Sequence, residues 1–278
     1  ENQKIEERGS KTGRTLTRTF LKSALKNIGL QAEEHLYQTG FNNGANVFAK
    51  LMATETTDEY ILVGAHMDSV TNPGADDNAG GSTAILEAAT ILSEMPTRKL
   101  NIIFAWFDQE ELGLVGSKQL AADFKKNNMK LNSVHIVDML GWDKDGDKTV
   151  EIARPQGFLW DYYKMVNEKH NLNLPLFRTS LDRSDHYSFE TKGYNSILLI
   201  EEYVNQDFNQ YYHKKTDTMD KINFDYLATG TKLLVAAVSD LTLKVPAPAN
   251  IKIIPHENFP TRKGFCSDNG ENEEHFHH

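Results

Sequence analysis

Three carboxylates and one imidazole lie close together in GAHMDSVTNPGADDNAGG, residues 64–81. They are His66, Asp68, Asp76 and Asp77, and they follow directly on the apolar run EYILV at 59–63. Charged side chains at the end of a buried strand are costly unless they are paired or bind a metal ion. The stretch therefore indicates a cation site.

Further acidic side chains and a second histidine also stand next to apolar runs or in loops. They are Asp108, Glu110 and Glu111 after NIIFAWF, Asp138 after VHIV, and His213 in YYHKKTDT. Carboxylates and imidazoles together are a ligand mixture that suits zinc. Five such ligands, one of them bridging, would hold two ions about 3.5–4 Å apart, an arrangement that hydrolyses amides and phosphates.

The spacing alone leaves a plainer interpretation open. Taken singly, Asp68, Asp76 or Asp138 would more often be a helix cap or an ion-pair partner than a metal ligand. The order of the motifs along the chain separates the metal-ligand interpretation from the interpretation as caps or ion pairs.

Strands that alternate with helices must position these side chains. Apolar periodicity predicts strands at 46–54, 59–66, 100–108, 133–140, 149–155 and 196–203, and helices at 17–30, 79–95, 113–127, 157–170 and 222–243. This alternation predicts an α/β fold, a three-layer sandwich whose central mixed, mostly parallel β-sheet is flanked by helices. Ligands of such sheets bind beyond the carboxyl ends of the strands.

Composition bounds the domain organisation and the partners. With 278 residues, 39% of them hydrophobic, the chain can form one large domain, and we expect residues 1–245 to be a single catalytic domain. A formal charge of −9 without a dense Lys/Arg cluster argues against a nucleic-acid partner. The longest apolar runs are too short to span a membrane, and the single Cys266 excludes an internal disulfide.

The two ends of the chain carry weaker signals. Residues 246–278 are polar and lose the periodic pattern, so we expect a C-terminal extension, partly disordered, whose closing histidines are a tag or a solvated tail. The chain begins with Glu1 rather than Met, which suggests that a targeting segment or pro-segment was removed.

Six motifs stand in the order and context typical of one enzyme family. They are GAHMDSV, GADDNAGG, FDQEELGLVGS, VDMLG, RSDHYSF and YYHKKTDT, between about residues 60 and 240. In this respect the chain resembles the cocatalytic dinuclear zinc aminopeptidases, the M28 peptidases, and is similar to secreted bacterial leucine aminopeptidases. The resemblance implies two zinc ions, a peptide substrate with a free N-terminus, a monomer and a secreted or periplasmic location.

The resemblance also implies roles for individual residues. His66, Asp77, Glu111, Asp138 and His213 match the metal ligands, with Asp77 as the bridge, and Glu110 matches the general base. Two zinc ions lower the pKa of a bridging water, and Glu110 would take its proton and pass it to the leaving amine. Tyr212 matches the donor to the developing oxyanion.

Around these residues the sequence predicts a supporting set. Asp68 would accept the N–H of His66 and fix its tautomer, and Ser184 would support His213. By resemblance, Arg183 would orient the amino end of the peptide, and a non-proline cis peptide would join Asp77 to Asn78.

Specificity residues follow from the same resemblance. Met139, Ile200 and Tyr212 would form the pocket for the first side chain and favour Leu, Met or Phe. Glu201 and Glu202 come next in the chain, and either one turned into the pocket would favour Lys or Arg instead. We expect leucine-type substrates.

Two tempting ligand groups have plainer explanations. His186 is expected to be structural, because the ligand set is complete without it. WDKDGDK at 142–148 has its glycine at the wrong position for a calcium loop, so a turn is expected.

Three other functions remain open at this point. A glutaminyl cyclase has this fold but uses one zinc ion, so it would not need all five ligands. A receptor-like binding module would have lost the ligands. A carboxypeptidase or dipeptidase would share the metals and the base, and only its contacts with the end of the substrate would differ.

Overall fold

A computed structural model of the chain describes residues 6–40 and 42–243, and their centre is an eight-stranded β-sheet. The strands are β1 (Ala32–Thr39), β2 (Asn42–Leu51), β3 (Glu59–His66), β4 (Asn101–Phe107), β5 (Lys130–Val137), β6 (Val150–Ala153), β7 (Leu176–Thr179) and β8 (Ser196–Ile200). Their order across the sheet is β1-β2-β4-β3-β5-β8-β6-β7.

The four central strands β4, β3, β5 and β8 are parallel to one another. Antiparallel pairs join β1 to β2, β2 to β4 and β6 to β8, and β6 and β7 are again parallel. The predicted mixed sheet is confirmed. Because the central strands run the same way, their carboxyl ends meet at one edge of the sheet.

Six helices cover the two faces of the sheet in the described residues. They are α1 (Lys11–Asn27), α2 (Gly81–Ser93), α3 (Val115–Lys126), α4 (Leu159–Lys169), α5 (His186–Glu190) and α6 (Phe224–Thr242). One core contains side chains of α1, α2, α4 and α6, and a second contains those of α3 and α5. The predicted three-layer arrangement follows from these two cores.

Successive side chains along the buried strands pack alternately into the two cores. In β4, Ile102, Phe104 and Trp106 enter the first core, whereas Ile103 and Phe107 enter the second. A strand that is buried on both faces reads as a continuous apolar run, which is why β3 and β4 were predictable from sequence.

Two strands were missed because they lack that signal. In β1, a strand at the sheet edge, only Tyr37 is buried. The opposite edge strand, β7, has only four residues and none of them is buried. Edge strands are defined by their partner's hydrogen bonds rather than by their own hydrophobicity.

None of the helices in the described part of the chain combines the length and apolar character needed to cross a membrane. The expected C-terminal extension, residues 246–278, lies outside the described residues.

One buried histidine makes the fold sensitive to acid. His135 in β5 is fully buried, with Tyr163 Oη 2.8 Å from its Nδ1 and Ser133 Oγ 2.9 Å from its Nε2. Burial lowers the pKa of His135 to about 3. An unfolded chain protonates this imidazole near its ordinary pKa of about 6.5. Between these values the unfolded state binds more protons, so stability falls as the pH falls.

We predict that His135→Gln makes the free energy of unfolding less dependent on pH between pH 6 and pH 4. The slope should decrease by up to about 1.4 kcal/mol per pH unit, which is the value for one proton, and urea unfolding at several pH values measures it. Tyr163→Phe is the control, because it removes a partner of the imidazole and keeps the imidazole itself. An unchanged slope in His135→Gln would show that this group does not carry the effect.

Candidate metal centre

The carboxyl ends of three neighbouring parallel strands supply the first part of the site. His66 is the last residue of β3, Asp138 follows the end of β5, and the segment 108–111 follows β4. Asp77 lies between β3 and α2, in the segment Ala75–Gly80, where its own backbone and that of Asn78 are not helical. The structure thus brings together side chains that are up to 147 residues apart, counting from His66 to His213.

Two imidazoles approach Asp77 from opposite sides. His66 Nε2 lies 3.2 Å from Asp77 Oδ1 and 3.2 Å from Asp138 Oδ1. His213 Nε2 lies 3.1 Å from Asp77 Oδ2 and 3.0 Å from Glu111 Oε2. Each Asp77 oxygen therefore belongs to a different group of three donors, and Asp77 is common to both groups.

The donors fit zinc in type and spacing. Zinc bonds of about 2.0–2.1 Å at tetrahedral angles would separate neighbouring ligand atoms by about 3.3 Å, close to the distances seen here. In addition, Glu111 Oε1 is buried and has no hydrogen-bond partner. A buried acceptor without a donor is costly, and a cation would satisfy it.

Carboxylates outnumber imidazoles in both donor groups, and they shift the pKa values of the two histidines. Burial opposes a charge on His66, yet the neighbouring Asp138 raises the pKa of His66 well above its usual range. Burial also opposes a charge on His213, but Asp77 and Glu111 raise the pKa of His213 to about 10. Both shifts have the same cause, which is the group of carboxylates around the two imidazoles.

Hydrogen bonds to Asp217 hold the backbone around Asp77. The sequence had predicted no role for this residue. Asp217, fully buried, accepts from Asp76 N at 2.9 Å and from Asp77 N at 3.2 Å. Its position four residues after His213 in YYHKKTDT was the available signal. Because one loop carries both residues, it supplies the imidazole of His213 and also holds the backbone at Asp77.

Asn78 ties the bridging segment to the end of β5. The peptide bond between Asp77 and Asn78 is cis. Asn78 Nδ2 donates to Val137 O at 3.0 Å, and its Oδ1 accepts from Met139 N at 3.2 Å, on either side of Asp138. Gly81 lets α2 begin here, because a Cβ at this position would lie 2.7 Å from Val137 O.

Asp68 orients more of the site than the sequence predicted. Its Oδ1 lies 3.5 Å from His66 Nδ1, while the Asp68 backbone carbonyl is closer to that nitrogen, at 3.2 Å. Its carboxylate also accepts from Glu110 N at 3.0 Å and from Glu111 N at 3.3 Å. Asp68 therefore couples the end of β3 to the segment that carries both glutamates.

A small cavity opens beside the two donor groups. It is lined by His66, Asp77, Glu110, Glu111, Asp138, Met139, Leu181, Arg183, Ser184, Ile200, Tyr203, Tyr212 and His213. Glu110 belongs to neither donor group, and burial raises the pKa of its carboxyl well above the usual range. A carboxyl group with a raised pKa that faces the cavity can exchange a proton with a molecule bound there.

Aromatic rings form one wall of this cavity. The Tyr212 ring stacks on the His213 imidazole with centroids 3.8 Å apart, and Tyr203 meets Tyr212 edge-on at 5.6 Å. Met139 and Ile200, both buried, line the cavity with them. Sequence reasoning missed Tyr203, since nothing in EEY distinguishes it from a packed aromatic.

Two predicted site residues require correction. Ser184 was expected to support His213, but its Oγ donates to Asp138 Oδ2 at 2.7 Å. Ser184 reaches Asp138 because the segment before α5 passes the end of β5 and not the loop of His213. It therefore orients Asp138 rather than His213.

Glu201 was a candidate residue of the substrate pocket, but it does not line the cavity. It is fully buried, and its Oε2 accepts from Gly141 N at 3.1 Å and Trp142 N at 2.6 Å. Burial, together with the nearby Asp76, raises the pKa of Glu201 well above its usual range. Glu202 is buried as well and bonds Asn205 Nδ2. Ile200, the last residue of β8, lines the cavity, and the chain bends directly after it, so that neither Glu201 nor Glu202 lines the cavity.

The remaining predicted groups have structural partners. His186 Nε2 lies 3.0 Å from Leu181 O. In the 142–148 segment, Asp145 and Asp143 accept backbone N–H groups of their own loop, from Asp147 N and Lys148 N. These contacts are those of a turn.

Comparison with known proteins relates this geometry to one family. The family model described as Peptidase family M28 matches residues 46–238. The chain is 31% identical over 205 residues to the probable leucine aminopeptidase 1 of Trichophyton verrucosum, covering 66% of this chain and 54% of that protein. It is 31% identical over 200 residues to aminopeptidase YwaD of Bacillus subtilis, covering 70% and 44%.

A solved structure shows the same architecture. The zinc aminopeptidase BSAP from Bacillus subtilis superposes with a TM-score of 0.66 at 26% identity, over 72% of this chain and 50% of that chain. The chain spans about half the length of the curated relatives it matches. Because the family model covers more than half of the 278 residues, the chain belongs to peptidase family M28.

Proposed function

We propose that this chain is a zinc aminopeptidase that binds two zinc ions and releases N-terminal amino acids from peptides. The observation that carries the proposal is the position of Asp77, whose two oxygens each lie 3.1–3.2 Å from a different histidine. One carboxylate between two nitrogen-containing donor groups is the arrangement that a pair of metal ions needs. The names of the relatives agree with this function.

The chemistry is divided between the metals and the chain. Zinc ions in the two donor groups supply Lewis acidity that activates water and polarises a carbonyl. Glu110 accepts the proton of the attacking water and returns it to the leaving amine. Asp68 keeps Glu110 in reach through its bond to Glu110 N.

We propose that Tyr212 donates a hydrogen bond to the carbonyl oxygen of the peptide bond that is cleaved. Its ring is fixed by stacking on His213 and by edge contacts with Tyr203 and Phe208. Burial raises the pKa of Tyr212, so the phenol keeps its proton and can donate. A donor aimed at the developing oxyanion contributes about 3–4 kcal/mol to transition-state stabilisation.

The substrate is proposed to enter with its free amino end and its first side chain in the cavity. Met139, Ile200 and Leu181 offer an apolar surface, and Arg183 stands at the exposed rim. This small cavity suits a single residue, which favours an exopeptidase. We propose a location outside the cytoplasm on the strength of the resemblance to secreted enzymes.

The alternatives differ in what they require of the site. A single-zinc glutaminyl cyclase has no need for two complete donor groups around Asp77, and both are present. A carboxypeptidase would use the same metals and Glu110. Only an assay that shows which end of the peptide is cleaved separates it from an aminopeptidase. The experiments below separate these functions.

We predict that each chain binds two zinc ions. The number of ions lost on substitution should depend on whether the residue belongs to one donor group or to both. Glu111→Gln and Asp138→Asn should each release one ion, because each residue belongs to one donor group. Asp77→Asn should release both. Elemental analysis after dialysis measures the stoichiometry, and a chelator should abolish activity. If Asp77→Asn kept one zinc ion, the bridge would be wrongly assigned.

Glu110→Gln should separate catalysis from metal binding. We expect kcat to fall at least about a hundredfold, because the amide cannot accept a proton, while the zinc content stays at the wild-type value. Glu111→Gln is the matched neighbour and should lose metal. The same zinc loss in both variants would contradict the division of roles between the two glutamates.

Leucyl anilides should be cleaved better than lysyl anilides by at least about tenfold in kcat/KM, because the cavity wall is apolar and Glu201 is turned away from it. N-acetylated peptides should not be cleaved. Glu202→Gln should leave the Leu/Lys ratio unchanged. A lysyl preference that this substitution abolished would place the acidic pair in the site, and cleavage of the blocked peptides from their carboxyl end would indicate a carboxypeptidase.

A further inference from the structure

A short segment before α1 packs against the loop that joins His66 to Asp77. In this segment Arg8 is 9% exposed, and its backbone N–H donates to Ser69 Oγ at 3.0 Å. Gly9 is so close to the loop that a Cβ there would lie 2.4 Å from Ser69 O. The fit leaves no room for a side chain at residue 9.

The Arg8 guanidinium spans that loop from one end to the other. Its Nε donates to Met67 O at 3.0 Å, its Nη1 to Pro73 O at 2.5 Å and its Nη2 to Gly74 O at 2.7 Å. Met67 directly follows the ligand His66, and Gly74 lies three residues before the ligand Asp77. One planar group therefore fixes both ends of the loop between two metal ligands.

The choice of partners is unusual for a buried arginine. Arg8 forms no ion pair with a carboxylate in residues 6–40 and 42–243, and its donors go to carbonyl oxygens. Burial lowers the pKa of Arg8, and the charges of Asp77, Asp68 and Asp217 oppose that shift. A buried charge is costly unless something compensates it. The carboxylates that compensate this charge lie in and beside the metal centre, and they are Asp77, Asp68, Asp217 and Glu111.

We infer that Arg8 is a positioning residue for the metal centre, which holds His66 and Asp77 at the separation that one zinc ion requires. The inference rests on the proposed function only in that the centre binds zinc. Its basis is the fork geometry of the guanidinium, since three carbonyls in three directions match the rigid donors of arginine and not the single ammonium of lysine. The positive charge of Arg8 also balances part of the negative charge of Asp77, Asp68 and Asp217.

The test measures zinc affinity by competition with a chromophoric chelator, with no substrate present. We expect Arg8→Gln to weaken zinc binding by about 10–100-fold, the effect typical of residues that hold metal ligands. We expect Arg8→Lys, which keeps the charge and loses the fork, to be weakened by at least about threefold. Lys11→Gln, an exposed basic residue three positions further on, is the matched control and should bind like the wild type.

A purely structural role would lower the thermal unfolding midpoint of the metal-free variant and leave its zinc affinity unchanged. Affinity within about twofold of the wild type in Arg8→Gln would therefore overturn the inference. If that variant does not fold, Arg8→Lys decides by the same criterion. A wild type that bound two zinc ions but cleaved no aminoacyl anilide would contradict the proposed function and leave this inference to be judged by affinity alone.

Discussion

The excess of carboxylates around two imidazoles is the constraint on which the rest of the site depends. Asp77, Glu111 and Asp138 converge at the carboxyl edge of the sheet, where burial makes uncompensated charge expensive. A cation between them removes that cost, and the spacing of the donors suits zinc. The surrounding polar residues serve one purpose, which is to hold like charges close together.

That purpose explains why the polar residues around the centre form hydrogen bonds to backbone groups as well as to side chains. Asp217 accepts two N–H groups at the bridge, Asp68 accepts two at the glutamates, and Asn78 bonds on both sides of Asp138. A side chain held only by its own rotamer would move away from a like charge. Backbone hydrogen bonds fix the loops themselves, and the loops hold the side chains of the centre in place. The central parallel strands then supply a rigid base, because they are buried on both faces.

Much of this was accessible from the sequence, for identifiable reasons. β3 and β4 are continuous apolar runs, and metal-ligating residue types immediately after such runs mark the edge of a sheet where ligands bind. Residues that act through partners distant in sequence were not accessible. Ser184 was assigned to His213 but contacts Asp138, and Glu201 was a candidate for the substrate pocket but faces the backbone of Gly141 and Trp142. The orientation of both side chains depends on which loop packs against them. Arg8 gave no signal at all, since its partners are carbonyl groups, which every residue has. β1 was missed because pairing, and not its own pattern, makes it a strand.

The central claim is that Asp77 bridges two metal ions, and diffraction at the zinc absorption edge tests it most directly. Crystals of the zinc-loaded enzyme should show two anomalous peaks about 3.5–4 Å apart. One Asp77 oxygen should contact each peak, with His66 and Asp138 at the first and His213 and Glu111 at the second. A single peak, or a second peak that does not touch Asp77, would contradict the account.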